Sequence, residues 1–239
     1  MPEHEPEHEQ DGMKVTVTRN GPYRVDGGVP LARWTIVPND DGESWEWRKD
    51  RDLESSESYR LCRCGQSSNK PFCDDTHERI DWDGTETASR EPYLRQAGAQ
   101  EGPYLVLTDA ERLCAFARFC DAKGSAWALV ERDDPDAAAL TEREARRCVS
   151  GRLIAWRRDE DGKPHALEDD FEPSIAVVQD PGIEGSAGLW VRGGIPVVSE
   201  DDTPYEPRNR QALCRCGGSG NKPFCDGTHA SIGFQDPNA

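Results

Sequence analysis

The chain has 239 residues, of which 35% are apolar and 31% charged, and its formal net charge is −17. This acidic surplus argues against binding to nucleic acid or to an anionic membrane surface, because such binding depends on Lys and Arg. No apolar run approaches the roughly 18 residues of a membrane span, so we expect a cytoplasmic protein with reduced thiols. Its nine cysteines then indicate metal binding rather than a disulfide framework.

The first third of the chain predicts a tail followed by strands. Residues 1–13 are acidic and polar, which is typical of a disordered tail. The alternating segment 14–19 predicts a strand, and Gly27-Gly28 between two apolar runs predicts a β-hairpin. SWEWR, which begins at residue 44, predicts a further strand, and residues 50–58 predict a charged loop.

A seventeen-residue stretch then appears, and it occurs again near the C-terminus. Residues 61–77 read LCRCGQSSNKPFCDDTH, and residues 213–229 read LCRCGGSGNKPFCDGTH. The copies differ at three positions, and each contains three cysteines and a histidine spaced C-x-C-x8-C-x3-H. Both follow an apolar run with a Gly-Gly pair, which predicts a repeated unit of hairpin plus Cys/His motif.

The middle of the chain, residues 91–170, has a different sequence pattern, with predicted strands and helices in alternation. Residues 102–108, 126–131 and 152–158 predict strands. Thr108-x-x-Glu111 and Thr141-x-x-Glu144 are capping boxes that predict two helices, the first over DAERLCAFARFC. The predicted order is therefore β-α-β-α-β, and it carries Cys114, Cys120 and Cys148.

The spacing of the repeated motif favours a cluster over a single ion. Structural zinc sites usually take cysteine pairs with at least two residues between them, whereas the first pair here has one. Such a pair suits one edge of a larger iron–sulfur cluster, with the third cysteine and the histidine on the other iron. Zinc remains the alternative, and a zinc protein would be colourless.

Both copies resemble the CDGSH iron–sulfur domain family (mitoNEET-like), with CDDTH and CDGTH in place of the pentad that names it. The resemblance implies a [2Fe–2S] cluster in each copy. Its implied ligands in this sequence are Cys62, Cys64, Cys73 and His77 for one cluster, and Cys214, Cys216, Cys225 and His229 for the other. A neutral imidazole in place of a thiolate removes a negative charge, which should raise the reduction potential.

The middle segment resembles small bacterial three-iron ferredoxins and the divergent mono-cluster ferredoxin domain that accompanies CDGSH motifs. CAFARFC has Ala117 where a further thiolate would lie, and RRCVSGRL has Val149 where the ferredoxin pattern has proline. The resemblance makes Cys114, Cys120 and Cys148 candidate ligands of a [3Fe–4S] or [4Fe–4S] cluster.

We therefore predict an α+β protein with two small β-rich CDGSH modules and a ferredoxin-like β-α-β-α-β insert. The predicted domains are 14–90, 91–170 and 171–239. The predicted function is electron transfer to a redox partner protein, and the alternatives are a cluster donor to an apo acceptor or a redox and pH sensor. No catalytic motif points to an enzyme.

Overall fold

The computed structural model describes residues 12–238, so most of the predicted tail lies outside the described residues. Between these limits no helix is long and apolar enough to cross a membrane. The fold is of the α+β class, as predicted, with three small sheets and few helices.

Thirteen strands and four α-helices occur in the described part of the chain. The strands are β1 Lys14–Val17, β2 Tyr23–Asp26, β3 Leu31–Pro38, β4 Ser44–Leu53, β5 Ser58–Leu61, β6 Gly98–Glu101, β7 Val106–Asp109, β8 Leu153–Arg158, β9 Pro164–Ala166, β10 Ser174–Asp180, β11 Gly185–Arg192, β12 Val197–Ser199 and β13 Arg210–Leu213. The helices are α1 Tyr93–Gln96, α2 Ala126–Val130, α3 Pro135–Arg147 and α4 Thr228–Ser231.

The two repeated halves exchange strands. One sheet has the order β12-β1-β2-β5, and the second has the order β13-β11-β10-β3-β4. β3 comes from the first half but pairs in parallel with β10 of the second half. β12 does the reverse and pairs in parallel with β1. Because each half completes the other's sheet, the two Cys/His motifs are fixed relative to each other.

The predicted hairpins at the Gly-Gly pairs are wrong, because the strands on either side belong to different sheets. β2 and β3 flank Gly27-Gly28, and β11 and β12 flank Gly193-Gly194. Gly27 and Gly193 have φ of 86° and 72°, in the left-handed region that favours glycine. A β-carbon at Gly193 would lie 2.5 Å from the Pro173 nitrogen. These glycines therefore turn the chain from one sheet into the other.

The insert has a third sheet, of order β6-β7-β8-β9, against which the helices pack. The strand predicted over 126–131 is wrong, since α2 occupies it. Its buried residues Ala126, Leu129 and Val130 follow helical spacing rather than alternation. β8 confirms the strand predicted over 152–158, and β4 extends into the predicted charged loop as far as Leu53.

The two capping boxes are also wrong. Thr108 lies within β7, and Thr141 lies inside α3, where its hydroxyl donates to the Ala137 carbonyl. α3 begins instead at Pro135 and is capped by Asp134, whose carboxylate accepts from the Asp136 amide at 3.0 Å. The helix predicted over DAERLCAFARFC is a loop with short 3-10 turns at its ends.

Candidate iron–sulfur sites

Each Cys/His motif follows a strand, and backbone hydrogen bonds join the end of that strand to the segment around the third cysteine. After β5, the Cys62 amide donates to the Pro71 carbonyl at 2.8 Å, and the Cys73 amide donates to the Arg60 carbonyl at 2.9 Å. The second copy repeats both bonds after β13, with Cys214 to Pro223 and Cys225 to Ala212, each 2.8 Å. These hydrogen bonds bring the third cysteine of each motif beside the C-x-C pair, although nine to eleven positions separate them in sequence.

The four donor atoms of each motif are arranged as two pairs. In the first motif Cys62 Sγ and Cys64 Sγ are 3.8 Å apart, and Cys73 Sγ and His77 Nδ1 are 3.5 Å apart. In the second motif the corresponding distances are 3.7 Å between the cysteines and 3.4 Å between the cysteine and the imidazole. The structure therefore brings together, motif by motif, the eight residues implied by the sequence.

The pairing fits a two-iron cluster better than one zinc ion. Zinc bonds thiolates at about 2.3 Å, so its four ligand atoms must lie within about 4.6 Å of one another. Among the described residues, the group whose ligand atoms all lie within 4.8 Å is Cys73, Asp75 and His77. The C-x-C pair is outside that group, so the four donors do not form one tetrahedron. A cluster with an iron at each pair matches this donor set.

Hydrogen bonds prepare the cysteines as ligands. Within each C-x-C pair, a bond from the second thiol lowers the pKa of the first, Cys62 or Cys214. Backbone amides also approach the sulfurs, with Gln66 N 3.5 Å from Cys64 Sγ and Asp75 N 3.4 Å from Cys73 Sγ. Such amide donors favour the thiolate, which is the form that binds metal, but they are outweighed at two cysteines: the bond with Cys62 raises the pKa of Cys64, and burial raises the pKa of Cys73.

The arginine inside each C-x-C pair anchors the motif in the core. Arg63 and Arg215 are 1% and 2% exposed. Arg63 donates to the Gly21 and Thr18 carbonyls, and Arg215 donates to the Ala187 and Val178 carbonyls. Their guanidinium carbons lie over the aromatic rings that follow the histidines, 5.0 Å from Trp82 and 5.2 Å from Phe234. Sequence reasoning missed this role, although both arginines recur at the same place in the repeat.

Small polar residues shape the loop between the second and third cysteines. The Ser67 and Ser219 hydroxyls each donate to a phenylalanine carbonyl at 2.7 Å. Lys70 and Lys222 donate to the carbonyls of these serines at 2.6 and 2.8 Å.

The aspartates after the third cysteine accept hydrogen bonds that close the turn carrying each histidine. Asp74 accepts from the Thr76 amide and Asp226 from the Thr228 amide, both at 3.1 Å. Bonds from Thr76 and Ser68 lower the pKa of Asp74, so its carboxylate stays ionised.

The two sites differ at the position after those aspartates. Asp75 and Gly227 both have positive φ, 62° and 85°. Asp75 forms a bidentate pair with Arg60, at 2.6 and 3.0 Å, and the residue equivalent to Arg60 in the second copy is Ala212. Gly227 instead lies against the insert, since a β-carbon there would be 2.9 Å from the Phe116 β-carbon.

The insert therefore covers the second site, whereas the first is open. Cys225 and His229 are both 2% exposed, but Cys73 and His77 are only partly buried. Burial lowers the pKa of His229 to about 4, which keeps the imidazole neutral and able to bind metal. Its Nε2 atom is buried with no hydrogen-bond partner among the described residues.

The three remaining cysteines line one cavity in the insert. Cys114, Cys120 and Cys148 surround it together with the backbone between the first two. Phe116 and Arg118 have φ of 54° and 62°, and these left-handed residues bend the segment around the cavity instead of continuing a helix. The cavity has a volume of about 30 Å³.

Comparison with known protein families gives two matches within the chain. Residues 20–78 and 187–230 match a family described as iron-binding zinc finger CDGSH type. No curated protein and no solved structure matches the chain. The matched regions contain both Cys/His motifs and their lead-in strands, and domains of this family bind iron–sulfur clusters. Both regions of the chain therefore match the CDGSH family of iron-binding domains.

Proposed function

We propose that this protein holds one [2Fe–2S] cluster in each CDGSH motif and transfers single electrons between them. The proposed ligands are Cys62, Cys64, Cys73 and His77 in the first motif, and Cys214, Cys216, Cys225 and His229 in the second. The pairing of the donors supports two irons at each motif. When bound, the clusters supply the one-electron chemistry; the chain fixes their spacing, solvent access and hydrogen bonds.

The contact between the two motifs is the observation that supports the proposed electron transfer. Their C-x-C-Gly loops cross so closely that a β-carbon at Gly65 would lie 2.3 Å from the Cys216 carbonyl oxygen. The reverse contact, from Gly217 to the Cys64 carbonyl oxygen, has the same distance. Electron tunnelling slows steeply with distance, so loops in direct contact favour exchange between the sites.

A third centre in the insert extends this series. We propose that Cys114, Cys120 and Cys148 hold a [3Fe–4S] or [4Fe–4S] cluster, since they line one cavity. This cavity adjoins the second motif, because a β-carbon at Gly227 would lie 3.6 Å from the Cys114 carbonyl oxygen. The order along the molecule is then insert, second motif, first motif.

The first motif is the proposed contact point for a partner. Its Cys73–His77 edge is only partly buried, whereas the equivalent edge of the second motif is covered. The net charge of −17 favours a redox partner with a basic face. We expect neither nucleic acid nor a membrane as partner, and no catalytic turnover of a substrate.

The series can be tested by re-oxidation kinetics. Anaerobically reduced protein is mixed with oxidised cytochrome c, a basic one-electron acceptor, and each centre is followed by rapid-freeze EPR. Cys225→Ser should slow re-oxidation of the insert centre at least tenfold and leave the first motif fast. Cys148→Ser is the matched control and should leave both motifs fast. Unchanged re-oxidation of the insert centre in Cys225→Ser would contradict the series.

The exposed edge of the first motif also favours a second function, donation of a cluster to an apo acceptor protein. Partial exposure of Cys73 and His77 gives an acceptor thiol access to that iron. Donation predicts that an apo ferredoxin gains cluster from the first motif and not from the second. If the apo ferredoxin gains a cluster while the first motif keeps its own, this function is excluded.

A further inference from the structure

A separate cavity of about 240 Å³ lies between the insert and residues 206–210. Its wall is mainly apolar, with Leu94, Ile154 and Trp156 among the lining residues. Arg208 also lines it, together with two carboxylates, Glu168 and Glu206. Ligand pockets in proteins are typically about 300 Å³ or larger, so this one suits a small molecule.

Both carboxylates are already engaged. Glu168 accepts from Arg210 Nη2 at 3.1 Å and from Asn209 Nδ2 at 3.0 Å. Glu206 accepts from the Tyr93 backbone amide at 2.5 Å. Arg210 also has internal partners, because it donates to the carbonyls of Arg146, Ala145 and Leu153.

Arg208 is different, because its charge is not neutralised at close range. Its Nη1 donates to the Ser150 carbonyl at 2.9 Å, and its guanidinium lies 5.4 Å from the centre of the Phe224 ring. Within residues 12–238 it forms no ion pair; Glu206 attracts it only from beyond contact distance. Burial lowers the pKa of Arg208 to about 10, so it remains charged at neutral pH.

We infer that this cavity binds a small organic monocarboxylate with an apolar or aromatic body. A guanidinium bonds a carboxylate through two parallel hydrogen bonds, and Arg208 donates only one of its five N–H groups to the described residues. The apolar wall would receive the body of the ligand, and Glu168 and Glu206 would repel a second negative charge. This site is independent of the proposed electron transfer.

Calorimetric titration of the protein, purified anaerobically with its iron, tests this inference with benzoate as the probe. Benzamide has the same shape without the charge and should bind at least tenfold more weakly. Arg208→Gln should weaken benzoate at least tenfold. Arg157→Gln removes an exposed arginine on β8 that does not line the cavity, and should leave benzoate binding unchanged.

A second variant covers the case in which Arg208→Gln fails to fold. Leu94 is 60% exposed at the cavity, so Leu94→Trp narrows the opening with little effect on the core. It should also abolish benzoate binding. Equal affinity for benzoate and benzamide, no binding at millimolar concentration, or full binding by Leu94→Trp would each overturn the inference.

Discussion

Gly227 packs directly against Phe116, and this contact joins the second CDGSH motif to the insert. A β-carbon at position 227 would lie 2.9 Å from the Phe116 β-carbon, closer than such atoms approach in proteins. The equivalent residue of the first motif, Asp75, faces Arg60 instead. One position in a nearly identical repeat thus makes one site an internal contact and leaves the other open.

Exchanging these two residues should have unequal effects. Gly227→Asp should destabilise the fold by about 1–3 kcal/mol, because it adds a clash and places a side chain at positive φ. Asp75→Gly should change stability much less, since the Asp75–Arg60 pair is exposed to solvent. Urea unfolding of the two variants measures the difference, and equal losses would show that Phe116 does not restrict position 227.

The insert is also fastened by an ion pair between Arg118 and Asp180. Asp180 is fully buried, and both of its oxygens accept from the Arg118 guanidinium, at 2.7 and 2.9 Å. Arg118→Leu leaves the buried carboxylate unpaired and should cost about 3–5 kcal/mol. Thermal unfolding of Arg118→Leu alone and combined with Asp180→Asn checks this, because the double variant should recover part of the loss. If the double variant recovers no stability, the loss in Arg118→Leu comes from packing and not from the unpaired carboxylate.

Glu144 makes stability depend on pH. It is fully buried in α3, and burial raises the pKa of its carboxyl to about 7 from an ordinary value near 4.5. The folded state therefore keeps a proton that the unfolded chain releases, so stability falls as pH rises from about 4.5 to 7. The loss of stability is about 3 kcal/mol once the pH is well above 7.

Glu144→Gln should remove this contribution to the pH dependence. Denaturant unfolding at pH 5 and pH 8 is the measurement, and the difference between the two pH values should be smaller in the variant by about the same amount. A Glu142→Gln variant serves as the control, because Glu142 lies on the same helix with its carboxylate paired to arginines. An unchanged pH difference in Glu144→Gln would mean that the buried carboxyl is not protonated at neutral pH.

The two motifs should lose iron at different rates. Cys73 and His77 are partly exposed, while Cys225 and His229 are covered by the insert. A Cys225→Ser protein reports on the first motif and a Cys73→Ser protein on the second. With excess chelator, visible absorbance should fall several-fold faster in Cys225→Ser than in Cys73→Ser. Equal rates would mean that the insert does not shield the second site.

The donor residues and the arrangement of the strands differ in how far the sequence predicts them. The C-x-C-x8-C-x3-H repeat predicts which residues meet, because the chemistry requires those types at that spacing. The exchange of β3 and β12 was not predictable in the same way. Gly-Gly between apolar runs fits a hairpin and a crossover equally well, and only pairing with distant strands decides between them.

The insert shows a second limit of sequence reasoning. Thr108-x-x-Glu111 has the form of a capping box, but β7 pairs with β6 and β8 through Thr108, so tertiary pairing overrides the local signal. Phe116 and Arg118 adopt a left-handed backbone conformation that their residue types do not predict. The covered state of His229 likewise depends on the insert and not on the motif, which is almost the same in both copies.

The most direct test of the central claim is iron, acid-labile sulfide and zinc analysis, with EPR, on anaerobically purified protein and on Cys148→Ser. We expect a coloured protein with about two irons and two sulfides for each CDGSH motif and a further three- or four-iron signal. Cys148→Ser should lose only that further signal. Stoichiometric zinc without sulfide would contradict the account.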